Sequence, residues 1–222
     1  MMITIDGPAG AGKSSAARAL ARRLGFDFLD TGAMYRAVGL AALRHSVDLT
    51  DEAGLERLLC DLRLEMPPGG HVLLNGEDVT AAIRSPEATA ASSPVAASNV
   101  VRRRLVELQR ELAVGRDLVT EGRDQGTVVF PDSVCKFFLT AAAGERARRR
   151  HAEMAAGGEV VDFAAILRAQ DARDQRDATR DLAPMRPADD AIVLDTTGLS
   201  FDEVVDRLFA EVERRRPGPG GA

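Results

Sequence analysis

The chain has 222 residues, enough for one sizeable core with a small inserted lobe. Its formal net charge of −5 gives no global basic field to draw nucleic acid or an anionic membrane surface. Cys60 and Cys135 form no C-x-x-C pair and no apolar run is long enough to span a bilayer, so a cytoplasmic protein with two buried free thiols is expected.

Met2-Ile-Thr-Ile-Asp reads as a short apolar strand and Ser15 to Leu24 as a helix. Between them Gly7-Pro8-Ala9-Gly10-Ala11-Gly12-Lys13-Ser14 fits G-x-x-x-x-G-K-[ST], in the strand–loop–helix setting that makes the motif a phosphate cradle. Glycines let the backbone turn its N–H groups inward, and the helix N-terminus adds a favourable dipole for an anion. Lys13 is expected to reach the β- and γ-phosphates, and the Ser14 hydroxyl to hold Mg²⁺. The plain alternative is a glycine turn that binds nothing. Composition argues against it: Lys13 and Lys136 are the only lysines among 29 basic residues. A chain that otherwise uses arginine has placed lysine where a compact ammonium fits and a planar guanidinium does not.

Further on, Phe26 to Leu29 is a second strand, and Asp30-Thr31-Gly32 opens a helix to about His45 with Ala33, Ala37, Leu40 and Ala41 at helical spacing. A short helix spans Asp51 to Leu59. Between Leu62 and Val79, alternating apolar runs separated by Pro67-Pro68-Gly69-Gly70 and Asn75-Gly76 predict a small antiparallel hairpin or three-stranded insertion. The stretch from Ile83 to Ala97, broken by Pro86 and Pro94, leads back to a long helix, Val95 to Val114, whose buried stripe is Val101, Leu105, Leu108 and Leu112.

The strand Asp117 to Glu121 ends in Gly122-Arg123-Asp124-Gln125-Gly126-Thr127, at the carboxyl end where open α/β sheets bind ligands. Val134 to Leu139 is another strand and Glu145 to Met154 a helix. After Gly157-Gly158 come a helix from about Asp162 to Thr179, a strand Ala191 to Leu194 and a helix Phe201 to Arg215. Pro217 to Ala222 is expected to be a frayed tail. The alternation of strands and helices predicts a parallel sheet covered on both faces.

Two arginine-rich segments stand out. Arg146, Arg149 and Arg150 share one helical face, which taken alone reads as a solvated surface. Arg173, Asp177 and Arg180 follow i, i+4, i+7 spacing and also share a face. A salt-bridged surface helix has the same pattern. The phosphate loop favours a functional reading, because phosphoryl transfer needs charge neutralised over several phosphates and guanidinium forks do this bidentately.

Taken together, Ile-Asp-Gly-Pro-Ala-Gly-Ala-Gly-Lys-Ser, Asp30-Thr-Gly-Ala-Met-Tyr35-Arg36, Glu121-Gly-Arg-Asp-Gln-Gly-Thr-Val-Val-Phe-Pro131-Asp132 and the segment Arg173 to Pro184 closely resemble bacterial cytidylate kinase. The resemblance runs from Ile3 to about Glu213. It implies the α/β fold of P-loop nucleoside monophosphate kinases: a five-stranded parallel sheet flanked by helices, with a small antiparallel β insert and a helical lid. A single kinase domain over 1–222 is implied, with its core at 1–35, 95–145 and 185–215. The monophosphate lobe would cover about 36–94 and the lid about 146–184, with a tail at 216–222.

The implied reaction is ATP with CMP or dCMP giving ADP with CDP or dCDP, in a protein that is usually monomeric. By resemblance, Gly7 to Ser15 with Arg146 and Arg150 bind ATP, Arg150 lying over adenine, and Arg149 belongs to the lid. Arg36, Arg123 and Arg180 hold the acceptor phosphate; Ser93, Arg102 and Asp124 read the cytosine edge; Arg173 and Asp177 address the sugar. Thr31 stands where many relatives have serine, keeping the hydroxyl at the acceptor site, and Glu121 where some have aspartate. The rival readings are shikimate or gluconate kinase, a tRNA prenyltransferase, a GTP-dependent switch and a nucleotide-binding domain without turnover. The first lack the Gly-Arg-Asp-Gln-Gly-Thr segment, the second would show a basic face, and the third would carry an Asn-Lys-x-Asp that no position supplies.

Overall fold

The computed structural model describes residues 1–67, 69–158, 160–180 and 182–216. The expected tail, Pro217 to Ala222, and Pro68 of the insert turn lie outside the described residues. In chain order the elements are β1 (Met2–Asp6), α1 (Lys13–Leu24), β2 (Asp27–Asp30), α2 (Thr31–Arg44), α3 (Glu52–Cys60), β3 (Leu64–Glu65), β4 (Leu73–Leu74) and β5 (Glu77–Asp78). A 3₁₀ turn at Ala82–Arg84 leads to α4 (Pro86–Ala97), α5 (Asn99–Ala113) and β6 (Leu118–Glu121). A π-helical turn at Gln125–Val129 precedes β7 (Cys135–Thr140), α6 (Ala143–Ala156), α7 (Phe163–Thr179), β8 (Ile192–Asp195) and α8 (Phe201–Arg215).

The larger sheet is five-stranded and parallel, in the order β2-β6-β1-β7-β8, and a separate three-stranded antiparallel sheet runs β3-β4-β5. The insertion therefore has three strands. The chain forms two compact units, Phe28–Gly115 and the remainder on either side of it.

In the unit that carries the termini, Ile3 and Ile5 of β1, Val119 of β6 and Phe137 and Leu139 of β7 are at most 2 % exposed. Their neighbours Thr4, Thr120 and Lys136 are buried as well, because a parallel sheet is covered on both faces. Register decides what stands at the sheet's carboxyl edge. Ile5 pairs with Glu121, and the Gly122 N–H donates to the Ile5 carbonyl at 3.1 Å, so the loops after β1 and β6 leave the sheet side by side. Gly7 lets the first of these loops pass close against β7: its φ is +139°, and a Cβ there would lie 1.9 Å from the Leu139 carbonyl oxygen.

In the other unit, α2 buries Met34, Ala37, Val38, Ala41 and Ala42, and α4 buries Ala88, Ala91, Ser92 and Val95. Gly39 lets these helices approach closely, since a Cβ there would lie 2.9 Å from the Ala91 Cβ. This packing corrects one sequence expectation. The stretch from Pro86 to Ala97 is a continuous helix, not a broken connection, and the next helix starts at Asn99, not Val95. Pro86 sits at the first helical position, where its missing N–H costs nothing, with Ser85 as cap. Pro94 lies inside the helix, and burial of the face around Val95 outweighs its lost bond. Ser98 caps α5 through the Val101 N–H, while the Glu52 carboxylate accepts the Ser98 hydroxyl and the Asn99 and Val100 N–H groups.

Two burial expectations are also corrected. On α5, Val101 and Leu105 are buried, but Leu108 and Leu112 are only half-buried and Gln109 takes the innermost position. Cys60 is exposed at the end of α3, about 140° round the helix from the buried Leu55, while Cys135 is buried on β7. Replacing Gly39 by valine is expected to overpack the α2–α4 contact by about 1–3 kcal/mol. A thermal melt should then fall by several degrees, and an unchanged midpoint would show that the helices separate freely there.

Candidate active site

Lys13 opens α1, and its side chain is only 5 % exposed. Its Nζ donates to the Pro8 carbonyl at 2.7 Å, across the loop that precedes it. Burial removes the ammonium from water, and the guanidinium charges of Arg123 and Arg173 oppose it. Glu121 and Asp6 compensate in part, and the amine is pulled from 10.5 down to about 7. Gly10 and Gly12 hold the surrounding backbone at φ of +77° and +85°. The next residue, Ser14, donates its hydroxyl to Glu121 Oε1 at 2.8 Å, joining the loop to the end of β6. Among the described residues no group of three His, Cys, Asp or Glu is placed to hold a metal ion. The Ser14 hydroxyl and Glu121 carboxylate are hard oxygen donors, a set that fits Mg²⁺ supplied mainly with phosphate and water oxygens.

The arginine face of α6 is not the solvated surface that charge patterning suggests. Arg146 is 7 % exposed; its Nε donates to the Ala141 carbonyl at 3.1 Å and its Nη1 to the Ala9 carbonyl at 3.0 Å. Arg146 also pairs with Asp174 of α7, whose other carboxylate oxygen accepts the Ala9 N–H at 3.1 Å. Arg149 donates to the Thr196 hydroxyl at 2.9 Å and carbonyl at 2.7 Å, beside Gly12. Arg150 lies outside this cluster, exposed and paired with Glu153 at 3.3 Å. Thus α6 and α7 are fastened to the glycine loop through Arg146 and Asp174. Asp174 and Thr196 were not legible as site residues, because neither lies in a motif and both act through distant chain segments.

After β6, Arg123 donates its Nε to Asp177 at 2.9 Å and its Nη1 to the Gly122 carbonyl at 3.1 Å. Asp124, 4 % exposed, faces Arg180 at 3.7 Å, and Arg180 Nε donates to the Ala183 carbonyl at 2.6 Å. Arg173 lies one turn before Asp177 on α7. The sequence groups Arg173, Asp177 and Arg180 on one helix face, and they do lie at one end of the molecule's α7, but Arg180 is its terminal cap and the ion pairs run to the β6 loop. Four of the expected site residues, Arg123, Asp124, Asp177 and Arg180, are thereby brought together as two crossed acid–base pairs.

The remaining expected residues belong to the other unit. Thr31 starts α2 and is 3 % exposed, with Asp30 capping the helix through the Ala33 N–H at 2.8 Å. Asp30 also pairs with Arg36 at 3.3 Å. The Arg36 Nε is buried with no hydrogen-bond partner among the described residues, a donor suited to an anion. Ser93 is half-buried on α4; Arg102 is 3 % exposed on α5 and its Nη1 reaches the Ala96 carbonyl at 3.5 Å.

Known proteins match nearly the whole of this chain. The family model for cytidylate kinase matches residues 3–214. The cytidylate kinase of Carboxydothermus hydrogenoformans is 48% identical over 97% of this chain and 98% of its own length. That of Desulfitobacterium hafniense is 50% identical over 95% of this chain and 91% of its own. Among solved structures, an uncharacterized protein from Eubacterium ventriosum superposes with a TM-score of 0.58 at 13% identity, covering 97% of this chain and 99% of that one. A gluconokinase from Sinorhizobium meliloti gives 0.50 at 17% identity, over 96% and 91%. At such identities the structures speak for the fold alone. The sequence relatives, matched nearly end to end, go further: the chain belongs to the cytidylate kinase family.

Proposed function

We propose that this chain transfers the γ-phosphoryl group of ATP to the phosphate of CMP or dCMP, with Lys13, Arg36, Arg123 and Arg180 as the groups that neutralise the reacting phosphates. The observation that carries the reading is the buried Lys13 of the glycine loop, its Nζ held on the Pro8 carbonyl across that loop. Around it Arg123 and Arg173 add positive charge and Glu121, Asp6 and Asp177 offset it in part, so that phosphate oxygens can take over the cluster's cations. An oxygen of the CMP phosphate attacks the γ-phosphorus in line. The new P–O bond forms as the bond to the β-phosphate oxygen breaks, and that electron pair leaves with ADP. The attacking phosphate is already largely dianionic at neutral pH, its second pKa being about 6, so the protein supplies no base.

The work of the chain is positioning and charge neutralisation. The loop from Gly7 to Ser15 wraps the ATP phosphates, with Arg146 and Arg150 contributing from α6. Bound phosphate restores full protonation to Lys13 by replacing lost hydration with anionic partners. Ser14, with Glu121 close by, would hold Mg²⁺, whose positive charge would offset that of the phosphates. Arg36, Arg123 and Arg180 serve the acceptor phosphate, Thr31 adds a hydroxyl, and Arg173 and Asp177 address the sugar. Asp124, Ser93 and Arg102 read the base: the Asp124 carboxylate accepts from the cytosine amine, where uracil presents a carbonyl and both groups lose a partner. Closure of α6 and α7 over the nucleotides keeps water from the γ-phosphate. No helix among the described residues is long and apolar enough to cross a membrane. We place the protein in the cytoplasm as a monomer that meets nucleotides and not nucleic acid.

ADP release from ATP, measured against a panel of nucleoside monophosphates, tests the reading. CMP is expected to exceed UMP in kcat/KM by on the order of 10²–10⁴-fold. Asp124→Asn should compress that ratio, since an amide can turn either its oxygen or its NH₂ to the base; equal rates with CMP and UMP in the parent protein would remove Asp124 from its role. Arg180→Ala should lower kcat by roughly 10²-fold while a thermal melt shifts by only a few degrees. Full activity in that variant would reduce Arg180 to a structural cap.

Lys13 gives a prediction with a sign. Because its amine titrates at about 7 in the fold against 10.5 unfolded, the unfolded chain binds the extra proton between those values, and the fold loses stability as pH falls through that window because burial penalises the protonated amine. Lys13→Met should flatten the pH dependence of stability from pH 7 upward without lowering the melting point, while ADP formation falls by about 10²–10³-fold. A variant that melts markedly lower would show instead that the amine stabilises the fold.

A further inference from the structure

We infer that Asp6, the last residue of β1, is a positioning residue for the pair Arg123–Asp124. Its side chain is 4 % exposed, and its two oxygens accept the Gln125 N–H at 2.9 Å and the Gly126 N–H at 2.8 Å. These are the two amides that directly follow Asp124, at the start of the π-helical turn. A carboxylate that takes one amide on each oxygen fixes both the direction and the rotation of the backbone between them. The turn, entered from a backbone at φ −145° and ψ 21° at Asp124, takes its own bonds from the Val128, Val129 and Phe130 N–H groups to the Asp124 and Gln125 carbonyls, and so leaves its first two amides to Asp6.

The neighbours tighten the same point. Thr120 donates to Gln125 Oε1 at 3.0 Å from β6, and Thr4 on β1 lies against Ser133 at 3.3 Å. Gly126 is pressed so closely on β1 that a Cβ would come within 2.9 Å of the Thr4 hydroxyl and 3.3 Å of Lys136 Cδ. Two central strands therefore hold the backbone from which Arg123 reaches Asp177 and Asp124 faces Arg180. Burying a carboxylate here has a cost: desolvation and the nearby Asp124 push Asp6 up to about 7, with the two amides and Lys13 opposing. An apolar residue would pack at less expense but could not hold the two amides.

The inference rests on the reading of Asp124 as the group that recognises cytosine. The test compares CMP and UMP in ADP-release kinetics for the parent protein, Asp6→Asn, Gly126→Ala and Asp124→Asn. Asparagine keeps the shape of Asp6 but offers one acceptor oxygen and sets an N–H donor against the other amide. Asp6→Asn is expected to reduce the CMP:UMP ratio of kcat/KM about tenfold or more and to raise KM for CMP more than KM for ATP. Gly126→Ala, which displaces the same turn with Asp6 intact, should leave the same fingerprint and carries the test if the Asp6 variant does not fold. Uniform loss for both acceptors with the ratio preserved, in either variant, would overturn the inference and leave Asp6 a structural residue. If Asp124→Asn itself leaves the ratio untouched, the reading of Asp124 falls and the inference falls with it; collapse of the ratio in Asp124→Asn alone sinks only the role given to Asp6.

Discussion

Burying a lysine ammonium is the constraint on which the site depends. Lys13 is drawn out of water at the start of α1, and its proton is held so loosely that the amine titrates near neutrality. Such a group persists in a fold when function needs it and the surroundings hold it in place. Those surroundings are supplied by the sheet. β1 delivers the glycine loop, β6 delivers Glu121 and the Arg123–Asp124 turn, and parallel pairing sets their ends side by side. α6 and α7 complete the arrangement through Arg146 and Asp174, which take the carbonyl and the amide of the same loop residue, Ala9.

The loop's donors meet acceptors from the chain itself. Lys13 bonds to the Pro8 carbonyl, the Ser14 hydroxyl to Glu121, and the Ala9 amide to Asp174. Arg123 and Arg180 face carboxylates in the same way. Groups with strong hydrogen-bonding capacity are costly to leave unmet inside a protein, so a site built to bind phosphates needs internal partners that phosphate oxygens can replace. Carboxylates serve well because they match the charge and spacing of a phosphate edge.

Much of this was legible in the sequence, and the rest was not for identifiable reasons. The glycine loop, the alternation of strands and helices and the presence of a small antiparallel insert follow from local patterns that tertiary structure does not override, whereas the insert's three strands, two residues each, are too short for turn signals to count. Arg123, Asp124, Asp177 and Arg180 could be singled out from motif and helix spacing, but their pairing across 54 residues between Arg123 and Asp177 could not. Arg146 reads as a surface arginine because its helix face is rich in charge, yet the loop backbone buries it. The helix through Pro94 runs against local propensity and exists because Gly39 and Ala91 let two helices close on each other. Asp6 hid at the end of an apolar strand, where one charged residue looks like a boundary; its meaning lies in two amides 119 and 120 residues away.

The central claim is that a buried lysine and guanidinium groups from separate segments meet two anionic nucleotides at one place. A crystal structure with CMP and a non-hydrolysable ATP analogue bound tests it most directly. We expect Lys13 Nζ to have left the Pro8 carbonyl for the phosphate oxygens of the ATP analogue, and Arg36, Arg123 and Arg180 to hold the CMP phosphate. Lys13 still bonded to Pro8, with those arginines turned away from both nucleotides, would contradict it.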